Sequence, residues 1–417
     1  MKSTKLFNKN FFLLWQGQTV SQIGSQIFMI ALMFWIKHET GSATIMGTVM
    51  LLSMLPAALL GPISGTIVDN LPRKKLIIFS DVINGINVII LSAIVGYSLM
   101  PLNVIIILIL VFSTISGVLF SIFNPAITAA IPDLVPEEKL QAANSLKESV
   151  QQLSLFIGQA AGGILFTIFG APLLFLFDGI TYLFSAFSES FILIPVREVK
   201  KHSSIKEAFD HFKKESIEGM TYVWQNKGIR FMFISFAVMN FFIMPFIVLL
   251  PFYVEDVLGL QADWYGYIFG GFGLGSILGY GISSAIKPEG KFKTISVLGA
   301  LMLMGALMPL FGFITNGYIA IITMMIIGMA DGYFTVNIIT LLQLKINPNL
   351  RGRVFALINS ISIGLAPISM ALAGVFADIL NKDIQPIFIF CGVLTFLTCL
   401  FSAFSKHYRN FLEERTE

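Results

Sequence analysis

Residues 103–131 read NVIIILILVFSTISGVLFSIFNPAITAAI, twenty-nine positions without one charged side chain. A helix needs about 20 mostly apolar residues to cross the hydrocarbon core of a bilayer. This stretch is long enough, and the rest of the chain resembles it. Of 417 residues, 56% are apolar and 12% are charged, with a mean hydropathy of +0.82. Soluble globular chains run nearer about 45–50% apolar and about 25% charged. Such a chain cannot cover its apolar residues with a polar surface of its own. It reads as an integral membrane protein, which excludes soluble enzymes and nucleic-acid readers. The net charge of +3 is too small to draw a polyanion.

Eleven further segments match the first. The twelve lie at 11–36, 44–68, 76–99, 103–131, 144–170, 172–195, 229–254, 264–286, 292–314, 317–344, 353–380 and 384–405. The first is too long, and too interrupted by glutamine, for a secretory signal. Of the 27 Lys and Arg residues, only Lys37 and Lys382 fall in one set of connections, and 25 fall in the other. The positive-inside rule then places both termini in the cytoplasm. The expected fold is all-α, with twelve transmembrane helices as two six-helix pseudo-repeats. It divides into an N-terminal half at 1–195, a cytoplasmic amphipathic linker at 196–228 and a C-terminal half at 229–417. In the linker, Ile205, Phe209, Phe212, Met220, Val223 and Trp224 fit a helix lying along the inner interface or covering the bundle ends. The halves echo each other. Asn124, Pro136 and Asn144-Ser145 recur as Asn337, Pro348 and Asn359-Ser360, at offsets of 213, 212 and 215. Parallel six-helix repeats are a transporter architecture with the substrate site at their interface.

After the second segment the chain reads Gly61-Pro62-Ile63-Ser64-Gly65-Thr66-Ile67-Val68-Asp69-Asn70-Leu71-Pro72-Arg73-Lys74-Lys75. Gly65, Asp69, Arg73 and Lys74 in this register resemble the helix 2–3 loop signature of the major facilitator superfamily, with Pro72 in place of the usual glycine. Gly65 would let helices approach closely. Asp69 would bond Arg73 or the N-terminus of another helix and so hold an inner gate. The bland alternative is positive-inside charge beside a turn-closing acid. Asp81, early in the third segment, would belong to the gate's polar network. Further stretches resemble the macrolide-efflux branch of the drug:proton antiporters. They are Asn10-Phe11-Phe12-Leu13-Leu14-Trp15-Gln16-Gly17-Gln18, Leu134-Val135-Pro136-Glu137-Glu138, Gln225-Asn226-Lys227-Gly228, Gly352-Arg353-Val354-Phe355 and Ala373-Gly374-Val375-Phe376-Ala377-Asp378. Gly158, Gly162 and Gly163 are similar to the superfamily's antiporter motif, with Gln159 where proline is usual. Ordinary small-residue packing is the alternative. Where that group carries an arginine in helix four, this chain has Ser116.

The resemblance implies a non-enzymatic exporter of amphipathic small molecules in the cell membrane, macrolide-like drugs foremost, working by alternating access in exchange for protons. It would need no cofactor, bind no nucleic acid and act as a monomer in the lipid bilayer. Export of a siderophore or other metabolite is an alternative, as is a non-transporting lipid scramblase or sensor on the same fold.

Polar groups within the segments supply candidate sites, because a charge at the bilayer centre costs from ~3 to more than ~10 kcal/mol. Asp331, in segment ten, reads equally as a proton carrier and as a protonated bridge between helices. Asp178, Tyr182, Ser185 and Glu189 recur at helical spacing on one face of segment six. Asp178 and Glu189 are further proton-coupling candidates, unless the stripe merely packs on a neighbour. Gln18, Gln22, Ser25 and Gln26 share one face of segment one. They are expected to line a cavity with Asn124, Asn240 and Asn337, or else to bond between helices. No phosphate-binding loop occurs, and His38, His202, His211 and His407 are scattered, so neither ATP hydrolysis nor a metal site is expected. Cys391 and Cys399, about 12 Å apart along one helix, are too distant for a disulfide.

Overall fold

The structure, a computed structural model, describes residues 6–98, 100–193, 205–286, 290–346 and 351–413. Those residues are helical throughout, apart from short turns. The long helices are α1 (Lys9–Thr40), α2 (Ala43–Asn70), α3 (Arg73–Gly96), α4 (Leu102–Leu134) and α5 (Leu140–Ser190). They continue with α6 (Ile205–Gln225), α7 (Lys227–Phe252), α8 (Asp263–Ala285), α9 (Gly290–Phe311), α10 (Gly317–Lys345), α11 (Arg351–Ile379) and α12 (Gln385–Phe404), and end in the short α13 (Lys406–Glu413). Among the described residues, ten helical stretches are long and apolar enough to cross a membrane, and α11 adds the shorter apolar stretch Gly364–Ile379.

One of the ten is α5, whose 51 residues would run about 75 Å if straight, more than twice the ~30 Å hydrocarbon thickness. It does not run straight. Gly170 leaves the helical region at φ 71°, ψ 170°, a backbone state that glycine reaches without a Cβ clash, and Pro172 follows. The contacts with α1 show that the chain reverses there. Gly158 meets Gln26, Gly162 meets Ile30, and Phe166 stacks on Phe34 with ring centroids 5.3 Å apart. Both helices advance together along that seam, so α1 and the first arm of α5 are parallel. Beyond the kink the order inverts, with Thr181 against Gly24 and Ser185 against Gly17. The break therefore falls where segments five and six were divided in the sequence. With α5 taken as two crossings and α11 as one, each of the twelve segments has its helix.

Local signals set the helix ends. The Asn8 side chain caps α1, accepting hydrogen bonds from the amides of Asn10 and Phe11, and Gly41 ends it at φ 59°. Asn316 caps α10 in the same way through Tyr318 and Ile319. In the linker region α6 spans Ile205–Gln225. Val223 is buried there, while Met220 and Trp224 are exposed. The Ile205, Phe209 and Phe212 side chains lie outside the described residues. Cys391 and Cys399 are free and buried in α12.

The helices form two compact units. One comprises Met1–Gly41 and Val49–Phe212, the other Ser42–Thr48 and Lys213–Glu417. In the first unit α1 lies against both arms of α5, and α3 packs on the second arm. In the second, α8 pairs with α10 through glycines. A Cβ on Gly271, Gly275 or Gly279 would meet the carbonyl oxygens of Ile321, Met325 and Met329 at 2.9, 2.0 and 2.2 Å. In return, Gly328 and Gly332 face the carbonyls of Phe272 and Ser276. Such glycine-lined seams bring helices together where no water-driven force acts between them.

Candidate functional site

The polar face of α1 and the polar stripe of α5's second arm turn toward each other. Gly24 allows this. A Cβ there would lie 2.4 Å from Thr181 Oγ1 and 2.8 Å from Asp178 Oδ1. In the space left open, Ser25 Oγ donates to the Tyr182 hydroxyl oxygen at 2.9 Å and sits 3.3 Å from Asp178 Oδ1. Thr181 Oγ1 bonds the Asp178 carbonyl at 2.7 Å. Two turns along, Gln18 Nε2 donates to Glu189 Oε1 at 2.8 Å, and Gln22 Nε2 reaches Gln18 Oε1 at 3.4 Å. Gln16 Nε2 donates to Ser188 Oγ. Asp178, Ser185 and Glu189 are at most 1% exposed.

α3 supplies a third acid to this seam. Gly85 sits 3.0 Å from the Gly179 carbonyl, measured from where its Cβ would be, and this close approach carries Asp81, one turn earlier, into the interior. Asp81 is 1% exposed. Its carboxyl faces Ser185 and Glu189, without a hydrogen bond of ordinary geometry to either. Asn87, further along α3, donates to Ser116 Oγ at 3.2 Å and to the Phe112 carbonyl at 3.1 Å. Ser116 thus serves an α3–α4 contact. Beside the seam, a pocket between α1, α4 and the first arm of α5 is lined by Trp15, Gln18, Gln22, Ile127, Ile131 and Lys147. Gln18 therefore has the pocket on one side and Glu189 on the other. Gln26 packs its Cβ against Gly158, while Gly163 is buried on the same arm.

The residues around the α2–α3 connection are partly resolved into contacts. Arg73 Nη1 pairs with Asp133 Oδ2 and the Ala129 carbonyl, both at 2.7 Å, which ties the start of α3 to the end of α4. Lys74 Nζ donates to the Ser190 carbonyl at 2.6 Å, at the C-terminus of α5, where the helix dipole favours a cation. The Asp69 side chain lies outside the described residues. A Cβ on Gly65 would meet no described atom within 4 Å. Asp133 escaped the sequence reading. Its only signal was an acid near the end of an otherwise uncharged segment.

In the second unit, Asp331 is half-buried on α10, beside Thr335 of its own helix and near Tyr280 of α8. Asn337 donates to Ser283 Oγ at 3.0 Å and to the Tyr333 carbonyl at 2.8 Å, an α8–α10 bridge. Asn240 on α7 is half-buried with an unpartnered Oδ1. Asn124 belongs to the first unit and is exposed. Asp378, noted in the sequence only within a resemblance, has a defined task. Its carboxylate accepts hydrogen bonds from the amides of Ala43 at 3.0 Å and Thr44 at 2.9 Å, and from Ser42 Oγ at 2.7 Å. It caps the first turn of α2 with the negative charge that a helix N-terminus favours.

This helical membrane protein, with acids and amides buried between its helices, invites comparison with known transporters. The profile of the Major Facilitator Superfamily matches residues 14–368. The chain belongs to the major facilitator superfamily. It is a multi-pass membrane transporter of that group, not an enzyme. Macrolide efflux protein A of Streptococcus pyogenes is 28% identical over 370 residues, covering 88% of this chain and 89% of that protein. Multidrug efflux pump Tap of Mycolicibacterium fortuitum is 24% identical over 85% of this chain and 86% of its own length. The crystal structure of the nucleoside transporter NupG superposes with a TM-score of 0.69 at 11% identity, covering 95% of this chain and all of that one, and so shares the fold.

Proposed function

We propose that this superfamily member exports amphipathic small molecules, macrolides foremost, from the cytoplasm across the cell membrane in exchange for protons. It does so by alternating access, with both termini cytoplasmic and one chain sufficient. The observation that carries the reading is the buried seam of Asp81, Asp178, Glu189 and the α1 amides. Acids are costly in a bilayer and are retained where they exchange protons or meet a ligand. The efflux proteins named above, similar over most of the chain, support a drug-like cargo. Asp331 is a second acid position for coupling, in the other unit. Gln18 and Gln22, on the wall of the α1–α4–α5 pocket, offer amides that accept and donate hydrogen bonds without desolvating an ion. Gly65, Asp69, Arg73 and Lys74 would form the inner gate, with Arg73 and Lys74 holding the ends of α4 and α5.

The test is drug susceptibility of a hypersensitive bacterial host with and without the chain, across chemical classes. The proposal expects raised resistance to macrolides that is lost in an Asp178→Asn, Asp331→Asn double variant of equal abundance. Unchanged susceptibility to every macrolide at full expression would overturn it.

A further inference from the structure

We propose that Asp81 and Glu189 form a single proton-binding unit in which two carboxyls share one exchangeable proton, with Gln18 linking that unit to the adjoining pocket. The inference rests on the proton-exchange reading for its use in transport, but not for its existence.

Both acids are 1% exposed, and they come from different helices, α3 and the second arm of α5. Neither Asp81 oxygen has a hydrogen bond of ordinary geometry, nor does Glu189 Oε2 or the fully buried Ser185 Oγ between them. Four polar atoms thus converge without the partners that buried polar groups require. Among the described residues, no basic side chain stands beside them. On α3, Arg73 is committed to Asp133 and Lys74 to the Ser190 carbonyl. On α5, the nearest titratable groups are Asp178 and Tyr182, which add no positive charge. α1 presents Gln18, Gln22 and Ser25, all neutral. On α4, Asp133 is already held by Arg73. Lys147 lies on the far side of the pocket, bonded to Thr128.

Two carboxyls side by side in such an interior carry one negative charge at most, because a second would add like-charge repulsion to a second desolvation. One proton between them supplies the missing donor. Binding is the reaction of one carboxylate with a hydronium ion to give the carboxylic acid and water, and release is its reverse. Gln18 spends its amide N–H on Glu189 and presents the same side chain to the pocket. A pocket occupant that takes this hydrogen bond removes a donor from the ionised form of the pair. Gln18 is therefore a positioning residue, through which occupancy and protonation sense each other.

Infrared difference spectroscopy of the full chain in lipid nanodiscs, titrated with acid, tests the assignment. The protonated-carboxyl C=O band of the wild type should be lost or shifted in both Asp81→Asn and Glu189→Gln, and kept in Asp331→Asn. The remaining acid in either variant should titrate differently from its behaviour in the pair, since coupled groups titrate together. Gln18→Leu should move the band by removing the donor, and it keeps the test open if an amide variant fails to fold. A band indifferent to Asp81→Asn and Glu189→Gln, or to Gln18→Leu, would overturn the proposal, as would two acids titrating independently. Export indifferent to the proton gradient, with the band behaving as expected, would sink the coupling reading and leave the pair standing.

Discussion

Gly158→Ala probes the seam on which the candidate site depends. The added Cβ would lie 2.3 Å from Gln26 Cβ and 3.3 Å from its Cα, where ordinary contact begins at 3.4 Å. The overlap with Gln26 Cβ is therefore 1.1 Å (3.4 − 2.3), at an atom fixed to the α1 backbone rather than at the end of a flexible chain. Relief requires α1 and the first arm of α5 to move apart by about that distance. The same seam holds Gly162 against Ile30, at 2.8 Å from the built Cβ, and Phe166 on Phe34, so both contacts loosen too. Overpacking of this kind costs roughly 1–3 kcal/mol. Alanine recovers up to about 1 kcal/mol through its better helix propensity. The net loss should be about 1–2 kcal/mol. At about 2–4 °C per kcal/mol for a domain of 150–250 residues, the thermal midpoint should fall by a few degrees. Intrinsic-fluorescence melts at one fixed scan rate read this shift. Gly61→Ala, on α2 with no described atom near its Cβ, is the control and should melt at or slightly above the wild type. A Gly158→Ala protein as stable as Gly61→Ala would refute the close approach of α1 to α5.

Asp378→Ala should leave the amides of Ala43 and Thr44 without their acceptor and speed their hydrogen exchange by about tenfold, consistent with ~1–2 kcal/mol for a cap. Unaltered protection of the first turn of α2 would contradict that role. Arg73→Ala and Asp133→Ala should be less than additive in melting temperature, with a coupling of about 1 kcal/mol, given the partial exposure of the pair. Full additivity would mean that the ion pair does not hold α3 to α4. A cysteine at Gln22, half-buried on the pocket wall, should react with a water-soluble thiol reagent faster than one at Ile27, which is buried. Equal labelling would remove the pocket from the water-accessible path.

Much of the fold was legible because a bilayer asks a simple question of each segment. Uninterrupted apolar length gave the crossings, and the boundary drawn between residues 170 and 172 falls on the reversal inside α5, where Gly170 leaves the helical region. The spacing of four, three and four residues between Asp178, Tyr182, Ser185 and Glu189 showed that they share a face. It did not show what that face meets. That Gln18 donates to Glu189, 171 residues away, follows from helix packing rather than from local spacing. The same holds for Arg73 with Asp133 and for Asp378 with Ala43 and Thr44. Each is a long-range pairing with no local periodicity to reveal it. The glycines at 271, 275 and 279 were different. Their four-residue spacing is visible in the sequence as a stripe of small residues, but only packing shows that α10 is the helix it meets.

Gradient-driven export can be read with purified protein in liposomes, free of other cellular pumps. With an acidic lumen and protein inserted so that its cytoplasmic face is outward, a labelled macrolide should accumulate inside as protons leave. The accumulation should collapse on adding a protonophore and be absent in the Asp178→Asn, Asp331→Asn double variant. Uptake no greater than in protein-free liposomes, or uptake that survives collapse of the gradient, would contradict the account.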